Sequence, residues 1–118
     1  MNPCMLVTGA SRGIGAATAQ LAAARGYSVA VNYVNDVEAA EAVCAGIEAG
    51  GGEAFTLRAD VADEAQVLAM FAALDARGVT LRAVVNNAGV VGAIAPFAHY
   101  TAARLKRTLE VNVLGAFL

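Results

Sequence analysis

The stretch Thr8-Gly9-Ala10-Ser11-Arg12-Gly13-Ile14-Gly15 has the residue types to hold a phosphate. Glycine permits positive φ in a tight turn, and with no Cβ it lets backbone N–H groups approach an anion. An apolar run, Met5–Thr8, comes first and reads as a buried strand. Ile14, Ala17, Leu21 and Ala22 then recur at helical spacing, and Gly26 can close that helix. The positive end of the helix dipole would point at the turn. Ser11 adds a hydroxyl donor and Arg12 a cation. An ATPase P-loop is excluded, because its lysine would follow the last glycine and Ala16 stands there. The competing reading is a strand-to-helix turn that binds nothing. Its place inside a βαβ unit favours the ligand.

The elements that must position this turn alternate along the chain. Ser28–Tyr33, rich in β-branched and aromatic residues, is a second strand. Asn35 followed by Glu38 resembles a capping box. The helix it opens buries Val37, Ala40, Val43, Cys44 and Ile47, with Asp36, Glu38, Glu41 and Glu48 facing solvent, and Gly50–Gly52 stops it. Ala54–Ala59 is the third strand. Asp63, with Gln66 three residues on, caps a helix that carries Val67, Met70, Phe71 and Leu74 on one face and ends at Arg77-Gly78. Arg82–Asn86 is the fourth strand, and a long loop with Gly89, Gly92 and Pro96 follows. Thr101 opens a fourth helix with no clear end by Leu118. Strands separated by helices imply right-handed crossovers and a parallel sheet covered on both faces, a doubly wound α/β architecture.

Composition narrows the function. With 118 residues, 58 % apolar and 15 % charged, the chain supports one folded domain and is no disordered tail. Eight basic residues are scattered among ten acidic ones, for a net charge of −2, which argues against a nucleic-acid surface. The longest uncharged stretches, Gly13–Ala24 and Ala83–Ala98, are broken by Gly, Asn, Gln, Thr or Pro, so no membrane span is expected. Met1–Met5 lacks the basic region of a signal peptide, and the expected compartment is the cytoplasm. Cys4 and Cys44 read as small buried hydrophobes rather than a disulfide framework. His99 has no nearby Cys or His to complete a zinc site, so no metal is expected.

Four motifs, in order along the whole chain, resemble those of the short-chain dehydrogenase/reductase family of the classical type. They are Thr8-Gly9-x-x-x-Gly13-x-Gly15, Asp60-Val61, Asn86-Asn87-Ala88-Gly89 and Val111-Asn112-Val113. The resemblance implies a Rossmann-like fold of which residues 1–118 are the N-terminal, dinucleotide-binding portion, with strands 1–4 and an end before strand five. It implies that Gly9, Ser11, Arg12, Gly13, Ile14 and Gly15 hold the cofactor pyrophosphate. Asp60 would accept from the adenine amino group and the Val61 backbone would read the ring edge. Asn87, Ala88 and Gly89 would line the adenosine ribose side, while Asn86 braces the sheet. Strand two ends in Asn32-Tyr33, counted with the cofactor-binding residues, and offers no acid to repel a ribose 2′-phosphate. Arg12 stands where NADP users of the family often carry a cation. NADP is therefore favoured over NAD. Asn112 is the one catalytic position present; in the family it interrupts a helix so that its backbone holds a water of the proton relay. Each role has a plainer alternative: a turn residue for Asp60, a solvated charge for Arg12, a tolerated polar residue for Asn112.

The family reduces carbonyls with a tyrosine acid, a lysine four residues later and a supporting serine, the lysine lowering the tyrosine pKa. Lys106 is the only lysine here, and Ala102 lies four residues before it. Tyr100 with Arg104 mimics the pair but precedes Asn112, so Tyr100 reads as a loop residue. The expectation is a longer NADP-dependent oxidoreductase that moves hydride between cofactor and a carbonyl or secondary alcohol, of 3-oxoacyl or sugar type, as a homodimer or homotetramer. The alternative is a truncated, non-catalytic nucleotide-binding or interaction module. Strand four as a bare edge, and a fourth helix that is apolar nearly all round after Leu109, lead us to expect that the 118 residues do not fold stably alone.

Overall fold

The computed structural model describes residues 2–90 and 96–118. Strand β1 (Cys4–Val7) leads through the glycine turn to helix α1 (Gly13–Ala24), then to β2 (Ser28–Tyr33) and α2 (Val37–Ala49). Strand β3 (Ala54–Arg58), α3 (Glu64–Ala76) and β4 (Leu81–Val85) follow. A 3₁₀ turn (Phe97–His99) precedes α4 (Ala102–Leu109), which runs through a π-helical turn (Glu110–Leu114) into α5 (Gly115–Phe117). The part of the expected long loop at 91–95 lies outside the described residues.

The four strands form one parallel sheet in the order β3-β2-β1-β4. Leu6 stands beside Ala30 on one flank and Val84 on the other. Strand side chains alternate between faces, and each face is buried. Val7, Val29 and Val31 pack against Ala19 and Ala22 of α1 and Ala40, Val43 and Ile47 of α2. Cys4, Leu6 and Ala30 pack against Met70 and Leu74 of α3 on the opposite face. This is the doubly wound arrangement that the alternation predicts. The chain winds outward from β1 to β3 and then returns to place β4 on the other side of β1. The carboxyl ends of β1 and β4 therefore flank a topological switch point, where open α/β sheets bind ligands.

Three local expectations are corrected. The N-cap of α2 is Asp36, not Asn35: Asp36 Oδ1 accepts from Ala39 N at 3.0 Å. Val37 is 40 % exposed, because α2 turns Ala40, Val43, Cys44 and Ile47 inward instead. Helix α1 also shows a different face from the one expected. Ile14 and Leu21 are exposed, and Gly15, Ala19 and Ala22 are buried. Small residues let this helix lie close against the sheet and the turn before it.

Two carboxamides tie the carboxyl ends of the strands together. Asn32 of β2, 1 % exposed, accepts from Gly9 N through Oδ1 at 3.1 Å. Its Nδ2 donates to Leu57 O and Ala59 O at 3.1 Å each. On the far side, Asn87 Nδ2 donates to Thr8 O and Gly9 O, both at 3.1 Å. The Thr8 hydroxyl oxygen accepts from Asn87 N and Ala88 N at 3.0 Å. Removing one buried partner leaves the others unsatisfied. Asn32→Ala should therefore cost about 3 kcal/mol, read by urea unfolding of the intact protein; a loss within 0.5 kcal/mol, roughly the scale of a surface change, would contradict this brace.

Both cysteines are buried and unpaired. Burial pushes both thiols above their ordinary value of 9.0, and the carboxylates of Glu48 and Glu41 push Cys44 further. The fold thus prefers the neutral thiols. Their contribution to stability is complete below pH 9, the ordinary thiol range, and is lost as pH climbs through the raised values. At pH 8 a thiol-disulfide reagent should react slowly with the native protein and fast after unfolding; immediate reaction of both thiols in the native state would contradict their burial.

Candidate functional site

Between the ends of β1 and β4 lies an open cleft of about 320 Å³. Its base is the glycine turn. Gly9 and Gly13 both take left-handed backbone, with φ of 60° and 59°, a conformation that costs glycine little. At Gly9 a Cβ would also stand 2.9 Å from Ala88 Cα. At Gly15 it would meet the Gly9 carbonyl, with Asn87 Nδ2 at 2.5 Å and Ala10 Cα at 2.9 Å. These two glycines let α1 and the Asn87 strand end close on the turn. At Gly13 a Cβ would meet nothing within 4 Å, so its backbone faces open space.

The polar groups of the turn divide into two sets. Gly9 N and Ala10 N are taken by Asn32, the second by its carbonyl at 2.8 Å. The first-turn N–H groups of α1 have no helical acceptor, as in any helix. Among the described residues, α2, α3 and α4 receive side-chain caps from Asp36, Asp63 and Thr101, while Arg12 at the start of α1 gives none. The opening of α1 is thus a set of aimed donors with a positive dipole end behind them.

Arg12 extends from the turn to Asp36, Nη2 to Oδ2 at 2.8 Å. Asp36 therefore does not simply face solvent: one oxygen caps α2 and the other holds Arg12. The pair is exposed, 74 % for Arg12 and 44 % for Asp36, and such pairs contribute at most about 1 kcal/mol. Asp60 and Val61 line the other wall of the cleft. Asp60 Oδ1 accepts from Ala62 N at 3.0 Å, and Oδ2 meets Arg107 Nη1 at 3.0 Å. Gln66 Oε1 accepts from Asp60 N at 2.9 Å, while Gln66 Nε2 donates to the helix cap Asp63. Val61 is buried under the helical turn at Gly115, where a Cβ would stand 2.7 Å from Val61 Cγ2.

Asn112 sits in the middle of the π-helical turn, so the helix is interrupted where the asparagine falls. Its carboxamide forms a two-bond clamp on one residue. Oδ1 accepts from Val90 N at 2.7 Å and Nδ2 donates to Val90 O at 2.8 Å. The side chain is thereby committed to the loop after β4.

The sequence-predicted residues are thus partly gathered. Gly9, Arg12, Ile14, Asn32, Asp60 and Val61 line the cleft, as do Asn87, Ala88 and Gly89. Asn32 does so with its amide turned inward to protein partners. Tyr33 is not among the lining residues and packs, half-buried, against the core on the α1–α2 face. Ser11, Gly13 and Gly15 belong to the turn beside the cleft without lining it. Asn86 Nδ2 donates to Ala116 O at 3.3 Å, bracing α5. Tyr100 follows the 3₁₀ turn, outside any helix or strand. Sequence reading missed Arg107 and Gly115, whose partners Asp60 and Val61 are remote in the chain. Among the described residues no His, Cys, Asp and Glu gather in a group able to hold a metal, and no helix is long and apolar enough to cross a membrane.

Comparison with known proteins agrees with this geometry. The model of the short chain dehydrogenase family matches residues 3–118. The oxidoreductase YgfF of Escherichia coli (strain K12) is 51 % identical over 113 residues, covering 96 % of this chain and 46 % of that protein. The 3-oxoacyl-[acyl-carrier-protein] reductase FabG of Staphylococcus aureus (strain Mu50 / ATCC 700699) is 47 % identical over 90 residues, or 76 % of this chain and 37 % of that protein. A dehydrogenase/reductase from Sinorhizobium meliloti 1021 superposes with a TM-score of 0.91 at 37 % identity, over 98 % of this chain and 45 % of that one. The chain spans less than half the length of each of these relatives. A strand–glycine-turn–helix unit at the switch point of a parallel sheet, matched by the family model over nearly every residue, makes this chain a member of the short-chain dehydrogenase family.

Proposed function

We propose that these 118 residues are a dinucleotide-binding module, the N-terminal portion of a single domain, and are not by themselves a complete catalyst. The uncapped opening of α1 beside Arg12 carries the reading. Aimed N–H donors and a helix dipole suit a diphosphate. Across the cleft, the Asp60 carboxylate and the apolar Val61 suit a flat base with an exocyclic amine. The donor set therefore fits the adenosine diphosphate part of a nicotinamide dinucleotide. Gly13, Ile14 and Gly15 bind the diphosphate with Ser11 beside them. Asp60 and Val61 take the base, and Asn87, Ala88 and Gly89 form the ribose side. Asn32 and Tyr33 act indirectly, by shaping the end of β2. The sequence contains no Tyr-x-x-x-Lys pair, which supports binding without turnover in this portion alone.

The whole protein, on this reading, is a reductase of carbonyls or a dehydrogenase of secondary alcohols. The name of FabG, a 3-oxoacyl reductase, supports that class, and that of YgfF an oxidoreductase. When bound, the nicotinamide supplies or accepts hydride. This chain contributes Asn112, whose side chain is fixed on Val90 so that the backbone of the π-helical turn is free to hold a water. The stripe Leu105, Leu109, Val113 and Phe117, all exposed, supports assembly as a homo-oligomer.

We assign NADP as the cofactor. An exposed Arg12–Asp36 pair is cheap to open, so Arg12 can exchange a carboxylate for a 2′-phosphate. Fluorescence titration of the intact protein tests this. Arg12→Ala should weaken NADPH about tenfold and leave NADH within roughly twofold. Asp36→Asn, which frees Arg12, should tighten NADPH. Equal weakening of both cofactors by Arg12→Ala would defeat the assignment, and no binding of either by the intact protein would defeat the nucleotide reading itself.

A further inference from the structure

Arg107 reaches from α4 to the wall of the cleft, where its Nη1 lies 3.0 Å from Asp60 Oδ2. Asp60 is held at two further points, Oδ1 by Ala62 N and its own backbone N by Gln66. Its side chain is only 20 % exposed and Arg107 is 47 % exposed. Helix α4 does not need this contact to start: Thr101 caps it, Oγ1 accepting from Arg104 N at 3.2 Å, and none of its residues is buried. A half-exposed ion pair adds little to stability. Its consequence lies in the carboxylate. A carboxylate offers about four acceptor sites and no donor. Ala62 N and Arg107 occupy two sites and stop the group from rotating. The remaining sites accept an N–H and repel a carbonyl.

We propose that Arg107 is a positioning residue that sets base selectivity: by clamping Asp60, it makes the cleft prefer a base with an exocyclic amine over one with a keto oxygen at the same place. This rests on the nucleotide-binding reading above. Without Arg107, Asp60 keeps only the Ala62 N bond to Oδ1; Oδ2 is released to water, and both bases meet a looser, hydrated carboxylate.

The test is fluorescence titration of the intact protein with NADPH and with its hypoxanthine analogue, in which the amine is replaced by oxygen. The wild type should bind NADPH about tenfold more tightly, the scale of one charge-assisted hydrogen bond. Arg107→Ala should weaken NADPH and leave the analogue nearly unchanged, bringing the ratio to about twofold or less. Arg107→Lys, which keeps a cation near Oδ2, should restore part of the preference. Asp60→Asn, whose amide can donate, should reverse it. If Arg107 were only structural, its loss would lower the melting temperature and weaken both ligands equally. That unchanged ratio would overturn the proposal, as would equal binding of the two by the wild type. Failure of the wild type to bind either would instead overturn the nucleotide reading, and this proposal with it.

Discussion

The bend at Gly9 is gripped from both sides by carboxamides, and the rest of the site depends on that grip. Asn32 reaches it from β2 and Asn87 from the end of β4. Between them they satisfy Gly9 N, Gly9 O and Thr8 O. A tight turn with unsatisfied backbone groups would relax toward water or close on its own helix. Here those groups are paired with protein, while the first N–H groups of α1, a few residues later, receive no side-chain cap. Asn32 also donates to Leu57 O and Ala59 O, so side-chain bonds join β2, β3, the turn and the residues after β4.

The fold explains why this grip occurs where it does. In a doubly wound sheet the chain must leave β1 toward one side and return to β4 on the other. The gap so made is where α1 begins. Asn87, two residues beyond β4, can reach back only because Gly15 has no side chain in its path, and Gly9 leaves room for Ala88 beside it. Helix α4 and its π-helical turn then close the far side of the cleft through Arg107 and the Gly115–Val61 approach. Two helices that are remote in the chain thereby face one another across a single opening.

Much of this was legible in the residues, and the gaps have physical reasons. Strand β2 spans Ser28–Tyr33 as expected, because a β-branched run between punctuating residues admits little else. The cap of α3 is legible too, since Asp63 and Gln66 bond locally as their spacing implies. The buried face of α1 was not. An alanine-rich helix has apolar residues all round, so its pattern sets no phase; contact with the turn at Gly15 and with the sheet at Ala19 and Ala22 sets it. Asn35 and Asp36 are both competent caps. In the structure Asp36 caps α2 through Oδ1 while its Oδ2 holds Arg12, 24 residues away. The cleft itself follows the motifs: most residues named from the family resemblance line it. Tyr33 does not, because alternation along β2 turns it toward the opposite face from Asn32. Arg107 left no local signal, since a basic residue on an exposed helix looks like any solvated charge until the fold brings Asp60 beside it.

The central claim is that the opening of α1 binds a dinucleotide through its backbone. A crystal structure of the intact protein grown with NADPH tests it most directly. The account predicts a diphosphate against the amides of Gly13, Ile14 and Gly15, with the base between Asp60 and Val61. A cofactor seated anywhere else, or a turn at Gly9 rebuilt to receive it, would contradict the account.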